Sequence, residues 1–372
     1  MNETALTDPA ALARMAAAPA PPELASLLAA LPEPVLLVGD DRRIALSNPA
    51  AAELFGGARD GASVMSCIRQ PEAMAALEAG FGALADPAAP AGPFQARKVL
   101  QRGSSETVWQ MQVAPLRAGE GGGWLLVSLR DVSHVEEAEQ QRRDFIANVS
   151  HEMRSPLTVL AGFVETLRGP ARNDPAARDR FLDIMEREVQ RMSRLVADLL
   201  SLSKVESDEK LRPRDPVSVA EVLHATLAAL RPQIERSEIA VSLDVRAAET
   251  PIPGDRDQLV QVFHNLLENA LKYGAAGGRI EITTARLDSA PGLTGPVLRV
   301  AVTDFGEGFD PIHIPRVTER FYRIDGHRSR EMGGTGLGLA IVKHIANRHR
   351  GRLSIRASRG EGASFVVLLP CF

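Results

Sequence analysis

The sequence predicts a multidomain α+β chain: a mostly antiparallel sheet domain, then a helical hairpin, then an α/β domain that runs to the C-terminus. Three observations predict it. The length of 372 residues gives, at about 150 residues per domain, two or three units that each bury a core. Trp109, Met111 and Val113 alternate with Gln110 and Gln112, which is strand behaviour. From Asp131 the period changes, and Ile146, Val149, Met153, Pro156, Leu160, Phe163 and Leu167 fall alternately three and four residues apart, the spacing of a heptad seam.

The elements follow in order. Residues 1–23 are rich in Ala and Pro without a sustained period and read as a disordered tail. The first domain is placed at 24–131. It opens with Val35-Leu36-Leu37-Val38, a turn at Gly39-Asp40-Asp41, and Ile44-Ala45-Leu46. Ser47-Asn48-Pro49 then sets a capping side chain before a proline suited to a helix's first turn. Trp124 to Leu129 follows a glycine turn as another strand. Residues 132–206 form the hairpin. Its first helix carries the seam, Gly169 to Asn173 is the loop, and Asp174-Pro175 restarts a helix striped by Phe181, Met185, Met192, Leu195, Leu199 and Leu202, with Glu188 interrupting. A lone hairpin covers only part of such stripes, so two chains are expected to pair as a homodimer with a four-helix bundle. Residues 207–372 begin with a polar linker, Leu211 to Pro216, and continue as mixed helix and strand.

Forty-three basic against forty-seven acidic side chains leave a formal charge of -4, so no whole-chain positive field exists to hold nucleic acid or anionic lipid. Cys67 and Cys371 are too far apart in sequence for a CxxC metal knuckle or a disulfide framework, which fits a reducing compartment. No apolar run approaches the ~20 residues that cross a bilayer. The richest stretch, Met15 to Val38, is broken by Pro19, Pro21, Pro22, Glu23, Pro32, Glu33 and Pro34. No basic segment followed by an apolar core opens the chain, and a cytoplasmic location is expected.

With Ile146 at heptad position a, His151 falls at f, farthest from the seam, and is expected to face solvent. By itself an exposed helical histidine reads as a solvated side chain. Its neighbours add to that: Glu152 is adjacent and Ser155 lies one turn on, on the same face. Pro156 cannot donate to the Glu152 carbonyl, so the helix is expected to bend or loosen one turn from His151.

The string Asp144-Phe145-Ile146-Ala147-Asn148-Val149-Ser150-His151-Glu152-Met153-Arg154-Ser155-Pro156-Leu157-Thr158 resembles the phospho-acceptor box of sensor histidine kinases. The resemblance implies that His151 accepts a phosphoryl group from ATP, while Glu152 orients the imidazole and takes its proton. Neutral imidazole is nucleophilic near neutral pH, and a neighbouring carboxylate stabilises the charge that develops on attack.

Farther on, Asp255 caps a helix with Gln258 at the capping-box position, and Leu259, Phe263, Leu266 and Ala270 form its apolar stripe. Asn265, Asn269 and Lys272 share another face, either a wet side or a ligand side. With Tyr273 they resemble the N box of the same family. That likeness implies Mg²⁺ at Asn269, since a hard ion prefers oxygen donors, with Lys272 and Tyr273 near phosphate and nucleoside. A strand around Val297 to Val302 runs into Asp304-Phe305-Gly306-Glu307-Gly308, similar to the G1 box, where Asp304 is expected to accept from the adenine amino group. Gly306 and Gly308 are expected to let backbone approach the nucleotide. Arg320-Phe321-Tyr322-Arg323 resembles the F box, and Gly333-Gly334-Thr335-Gly336-Leu337-Gly338-Leu339 the G2 box, opening into the helical stretch Ala340 to Asn347. Backbone N–H groups at Gly334, Thr335, Gly336, Leu337 and Gly338 suit polyphosphate at a helix start. The stretch with Gly326, Arg328, Ser329 and Arg330 reads as a mobile lid. The pattern GxxxxGK[ST] is absent, so this is not a P-loop.

The order of boxes identifies the chain as similar to sensor histidine kinases of two-component systems, most like the phosphate-regulon sensor type. That resemblance implies a phosphotransfer hairpin followed by a Bergerat-type ATP-binding sandwich, with ATP and Mg²⁺ as cofactors and the receiver domain of a response regulator as partner. The front domain resembles a PAS domain around Asn48-Pro49-Ala50-Ala51 and is expected to take an unidentified ligand or signalling partner. Two departures stand out. Membrane spans usual in phosphate-regulon sensors are missing, so membrane attachment is expected only if the natural chain carries an anchor ahead of residue 1. Ser155 replaces the more usual threonine, which bears on dephosphorylation of the regulator. Two alternatives come from the same fold: a gyrase- or chaperone-like ATPase, or a degenerate kinase acting as a dimeric scaffold. Asn265 stands where such ATPases carry a glutamate base, and an amide cannot serve as one.

Overall fold

The protein is described by a computed structural model covering residues 22–372 apart from 58, 87, 90–91, 103–104, 119–121, 208–210, 246, 248–250 and 325–333. The tail expected at 1–23 lies outside these residues except for its end, where Pro22 begins a helix. The chain divides into two compact units, 1–144 and 145–372.

The first unit contains α1 (Pro22–Ala29), β1 (Val35–Gly39), β2 (Ile44–Ser47), α2 (Pro49–Phe55), α3 (Pro71–Ala85), β3 (Phe94–Arg102), β4 (Ser105–Ala118) and β5 (Gly122–Asp131). Its strands form one antiparallel sheet in the order β2-β1-β5-β4-β3. Period-2 alternation divides the sheet residues between two faces. Leu36, Val38, Met111, Val113, Leu125 and Val127 pack with Leu77 of α3, whereas Val35 and Leu37 pack with Leu28 of α1. Asn48 caps α2 as expected, its Oδ1 accepting from Ala51 N at 2.9 Å and from Val35 N at 2.9 Å. Its Nδ2 donates to the carbonyls of Leu28, Leu31 and Glu33. A buried amide thus offsets its desolvation by joining α1, β1 and α2. Helix α3 was not anticipated: its run PEAMAALEAGFGALA is Ala-rich, so small residues blur the boundary between core face and wet face.

The second unit begins within α4 (Ser133–Arg168), which starts in the first unit and continues without a break through Pro156. It turns at 169–174, where Asp174 Oδ1 accepts from Ala177 N at 3.0 Å, into α5 (Pro175–Ser207). Phe163 and Phe181 stack across the hairpin with ring centroids 5.1 Å apart.

The rest of this unit holds β6 (Asp215–Val217), α6 (Val219–Ser237), β7 (Ala240–Asp244), β8 (Ile252–Gly254), α7 (Arg256–Tyr273), β9 (Arg279–Leu287), β10 (Val297–Asp304), α8 (Gly338–Arg348), β11 (Arg352–Ser358) and β12 (Gly362–Pro370). Its main sheet has the order β11-β12-β10-β9-β7, with β7 parallel to β9 and the other pairs antiparallel. Helices α6, α7 and α8 supply one layer and the sheet the other, joined by Leu223, Phe263, Leu266, Ile341, Ile280, Val300 and Val367. The expected polar linker at 211–216 contains the start of β6, which pairs with β8. The end of α5 belongs to the same core through Leu195, Leu202 and Val205. Among the described residues no helix is long and apolar enough to cross a membrane.

Candidate active site

Helix α7 exists because Asp255 accepts from Asp257 N and Gln258 N while Leu259, Phe263, Leu266 and Ala270 bury one stripe. The opposite face therefore carries Asn265, Asn269 and Lys272 into a cavity of about 800 Å³. That size falls in the ~300–1,000 Å³ range of small-molecule sites. Tyr273, Asp304, Gly308, Arg323, Gly334, Thr335, Gly336 and Gly338 line it too. Gly306 and Leu337 do not: Gly306 abuts the carbonyl of Tyr273, and Leu337 is fully buried in the core.

Two glycines owe their identity to the protein's own backbone. Gly308 has φ +58°, and a Cβ there would lie 2.0 Å from the Ser358 carbonyl oxygen. Gly336 has φ +74° and would meet the Phe321 backbone at 2.9 Å. Both positions demand left-handed backbone and close approach to another strand or turn, so glycine shapes the cavity wall from behind.

Asp304 is 4 % exposed at the end of β10. Burial pushes its carboxyl above the ordinary aspartate range, opposed by the Gly306 and Ala363 amides. An under-solvated carboxylate on the wall of a cavity gains from an amino donor, which fits an adenine base. Lys272 Nζ lies 2.9 Å from Glu268, and Asn265 Nδ2 donates to the Gly338 carbonyl at 3.2 Å. Asn265 thus ties α7 to the start of α8 while facing the cavity. Asn269 offers an amide oxygen, the kind of donor a hard cation accepts. The donor set fits a nucleotide with a divalent cation. Gly333 and the expected lid residues Gly326, Arg328, Ser329 and Arg330 lie outside the described residues.

On the hairpin His151 is exposed, as its heptad position predicts, and Ser155 is exposed one turn on, its hydroxyl donating to the His151 carbonyl at 3.2 Å. Glu152 faces the nucleotide half. Its carboxylate accepts from Arg191 Nη2 at 2.7 Å and from Arg323 at 3.2 and 3.3 Å. Arg323 also lines the cavity and is only 9 % exposed in its side chain. The neighbour of the histidine and the cavity wall therefore share one guanidinium.

Sequence reasoning missed the contribution of α5. Arg194 and Asp198 line the cavity, Asp198 accepts from the Thr335 hydroxyl at 2.7 Å, and Glu206 pairs with Arg320 at 2.6 Å. The signal was present: Arg191, Arg194 and Asp198 recur at helical spacing on a helix otherwise read for its apolar stripe.

Comparison with known proteins matches residues 141–208 to the His Kinase A (phospho-acceptor) domain. Residues 254–371 match the histidine kinase-, DNA gyrase B- and HSP90-like ATPase family. The chain belongs to the sensor histidine kinases. This sensor histidine kinase is 41 % identical over 245 residues to the phosphate regulon sensor protein PhoR of Pseudomonas aeruginosa, covering 65 % of this chain and 53 % of that protein. It is 33 % identical over 249 residues to the sensor protein kinase WalK of Staphylococcus aureus, covering 67 % of this chain and 58 % of that protein. The chain thus spans about half the length of these curated relatives. Among solved structures it is similar to the histidine kinase ThkA in complex with the response regulator TrrA, at 20 % identity and a TM-score of 0.49, covering 93 % of this chain and 98 % of that one. In this kinase the first matched region carries His151 and the second most of the cavity wall, and apart from residues 141–144 both lie in the second unit.

Proposed function

We propose that this sensor histidine kinase phosphorylates His151 from ATP and passes the group to an aspartate of a response regulator receiver domain. The carrying observation is Arg323, which lines the cavity and at the same time holds Glu152, the neighbour of the exposed His151. An imidazole nitrogen attacks the γ-phosphorus in line, the bond to the β-γ bridging oxygen breaks, and ADP leaves. Glu152 orients the ring and takes the proton displaced from its other nitrogen. Lys272, Arg323 and the backbone around Gly334, Thr335, Gly336 and Gly338 bind the phosphates, Tyr273 borders the nucleoside, and Asp304 selects adenine. Mg²⁺, held through Asn269, would offset phosphate charge.

The same reading includes a homodimer. Leu182, Val189 and Val196 repeat every seventh residue on α5 and are 49 %, 51 % and 41 % exposed, and Leu157 and Val164 do so on α4. This second apolar stripe on each helix is what a four-helix bundle would cover. The domain division 24–131, 132–206 and 207–372 is part of the proposal, with the first as a PAS-like sensor in the cytoplasm. Its five-stranded antiparallel order, with α3 packed on one face, supports that assignment. A hydrolytic ATPase is disfavoured because Asn265, an amide that cannot act as a general base, stands where such enzymes carry a glutamate.

The test is incubation with γ-labelled ATP and Mg²⁺. Wild type should gain acid-labile label that His151→Gln lacks; label that survives the substitution, or that resists acid, refutes the assignment.

A further inference from the structure

Among the described residues, the hairpin grips the nucleotide half through the carboxylates of Glu152, Asp198 and Glu206. Their partners are Arg323, Thr335 and Arg320. Two of these partners, Arg323 and Thr335, line the cavity. Of the other basic groups on the described wall, Lys272 lies 2.9 Å and Arg194 4.0 Å from Glu268, while Arg359 and His264 also line it. In this arrangement Arg323, Lys272, Arg194 and the Thr335 hydroxyl, groups that would meet a polyphosphate, are already engaged by carboxylates, two of them from the hairpin.

We propose that hairpin docking and nucleotide binding compete, with Asp198 as the positioning residue that couples them: its carboxylate holds the Thr335 hydroxyl only while no polyphosphate occupies the cavity. This rests on the cavity being the ATP site. Thr335 Oγ1 donates to Asp198 and accepts from Leu337 N at 3.3 Å, so one hydroxyl joins α5 to the start of α8, where phosphate would sit. A polyphosphate arriving there places negative charge beside Asp198 and Glu268. Like charges at such range in a half-buried site repel strongly, and the polyphosphate also competes for Arg323. Burial already disfavours ionised Asp198, with Glu268 adding to the effect. The contact is therefore one that added negative charge can break. By linkage, whatever weakens docking must tighten nucleotide binding, and nucleotide must loosen docking by the same factor.

Two variants separate this linkage from a local charge effect. Asp198→Asn removes charge at the cavity wall. Glu206→Gln weakens the grip at a residue that is not among those lining the cavity. Calorimetric titration of the full chain with the non-hydrolysable analogue AMP-PNP and Mg²⁺ should show Kd falling roughly fivefold for both, a typical coupling. Small-angle scattering on wild type should show the radius of gyration rising on saturation with the analogue. Thermal melts monitored by circular dichroism confirm that each variant is folded. A Kd unchanged in both variants, or lowered in Asp198→Asn alone, overturns the competition, as does a wild-type radius unaffected by saturating nucleotide. Absence of binding by wild type and by both folded variants instead removes the ATP reading itself, and the competition with it.

Discussion

The hairpin and the nucleotide-binding region use apolar residues in opposite ways. Helix α7 is 18 residues long and buries eight of them, whereas α4, twice that length at 36 residues, has Pro156 as its buried residue. The nucleotide region closes its core between three helices, a sheet and the end of α5. The hairpin leaves Leu157, Val164, Leu182, Val189, Val196 and Leu200 open. A surface of this kind is unfinished until something covers it. One region thus buries most of its apolar residues, and the other leaves many of them exposed.

The largest expected effect breaks this comparison if it fails. Phe263→Ala empties a fully buried site in the middle of the helical layer and should cost about 3–5 kcal/mol of unfolding free energy by the usual cavity penalty. Leu200→Ala removes as many methyl-bearing carbons as other leucine truncations, yet from a side chain 67 % exposed. It should change stability by less than about 0.5 kcal/mol at protein concentrations where the chain is monomeric. Urea titrations of both variants, run at low and high concentration, decide it. Similar losses at both positions would mean the hairpin is as self-sufficient as the sandwich.

A smaller effect sharpens the comparison at the chemistry. Glu152 is held by Arg191 and Arg323, so its carboxylate must leave at least one guanidinium before it can serve His151. Glu152→Gln keeps a hydrogen-bonding side chain but cannot take a proton. Autophosphorylation should fall by about 10²-fold or more, the usual share of a general base, while AMP-PNP binding is not weakened. A variant that phosphorylates at the wild-type rate would show that Glu152 is a structural ion-pair member only.

Much of this was legible in the sequence, because the decisive signals are local. The Asn48 and Asp255 caps, the stripe of α7 and the exposed position of His151 depend on residues within one or two turns of each other. What could not be read depends on pairing across long separations. Asp198 meets Thr335 at a distance of 137 residues along the chain, and Arg323 meets Glu152 at 171. No periodicity encodes such a pair. The glycines show the same limit: their boxes were visible, but the Ser358 and Phe321 backbone that makes Gly308 and Gly336 necessary was not. Helix α3 escaped for a different reason, since Ala and Gly carry too little hydrophobic contrast to mark a face.

The smallest effect concerns acid, and it again contrasts the two regions. His349 is 1 % exposed at the end of α8. Its Nδ1 donates to the Ile345 carbonyl at 2.8 Å, and its Nε2 accepts from Asp255 N at 3.0 Å. The second bond requires the neutral ring, because a protonated Nε2 cannot accept. Burial lowers its pKa below the ordinary histidine range. Between the lowered folded value and the unfolded value near ~6.5, the unfolded chain binds more protons, so stability rises with pH. His349's contribution is complete above the unfolded pKa and is lost as pH falls through that window. Asp198 and Asp304, both raised by burial, act in the opposite sense, so the wild-type profile mixes the two. The difference between wild type and His349→Gln isolates the histidine. Its urea midpoint gap should be widest above neutral pH and shrink toward pH 5, because only the wild type carries the titrating ring. The loss should also be local: hydrogen exchange of the first-turn amides of α7, beside Asp255, should quicken on acidification more than that of α4 around His151, whose ring is already in water. Equal acceleration on both helices would place the acid sensitivity outside the His349 contact and remove this distinction between the closed sandwich and the open hairpin.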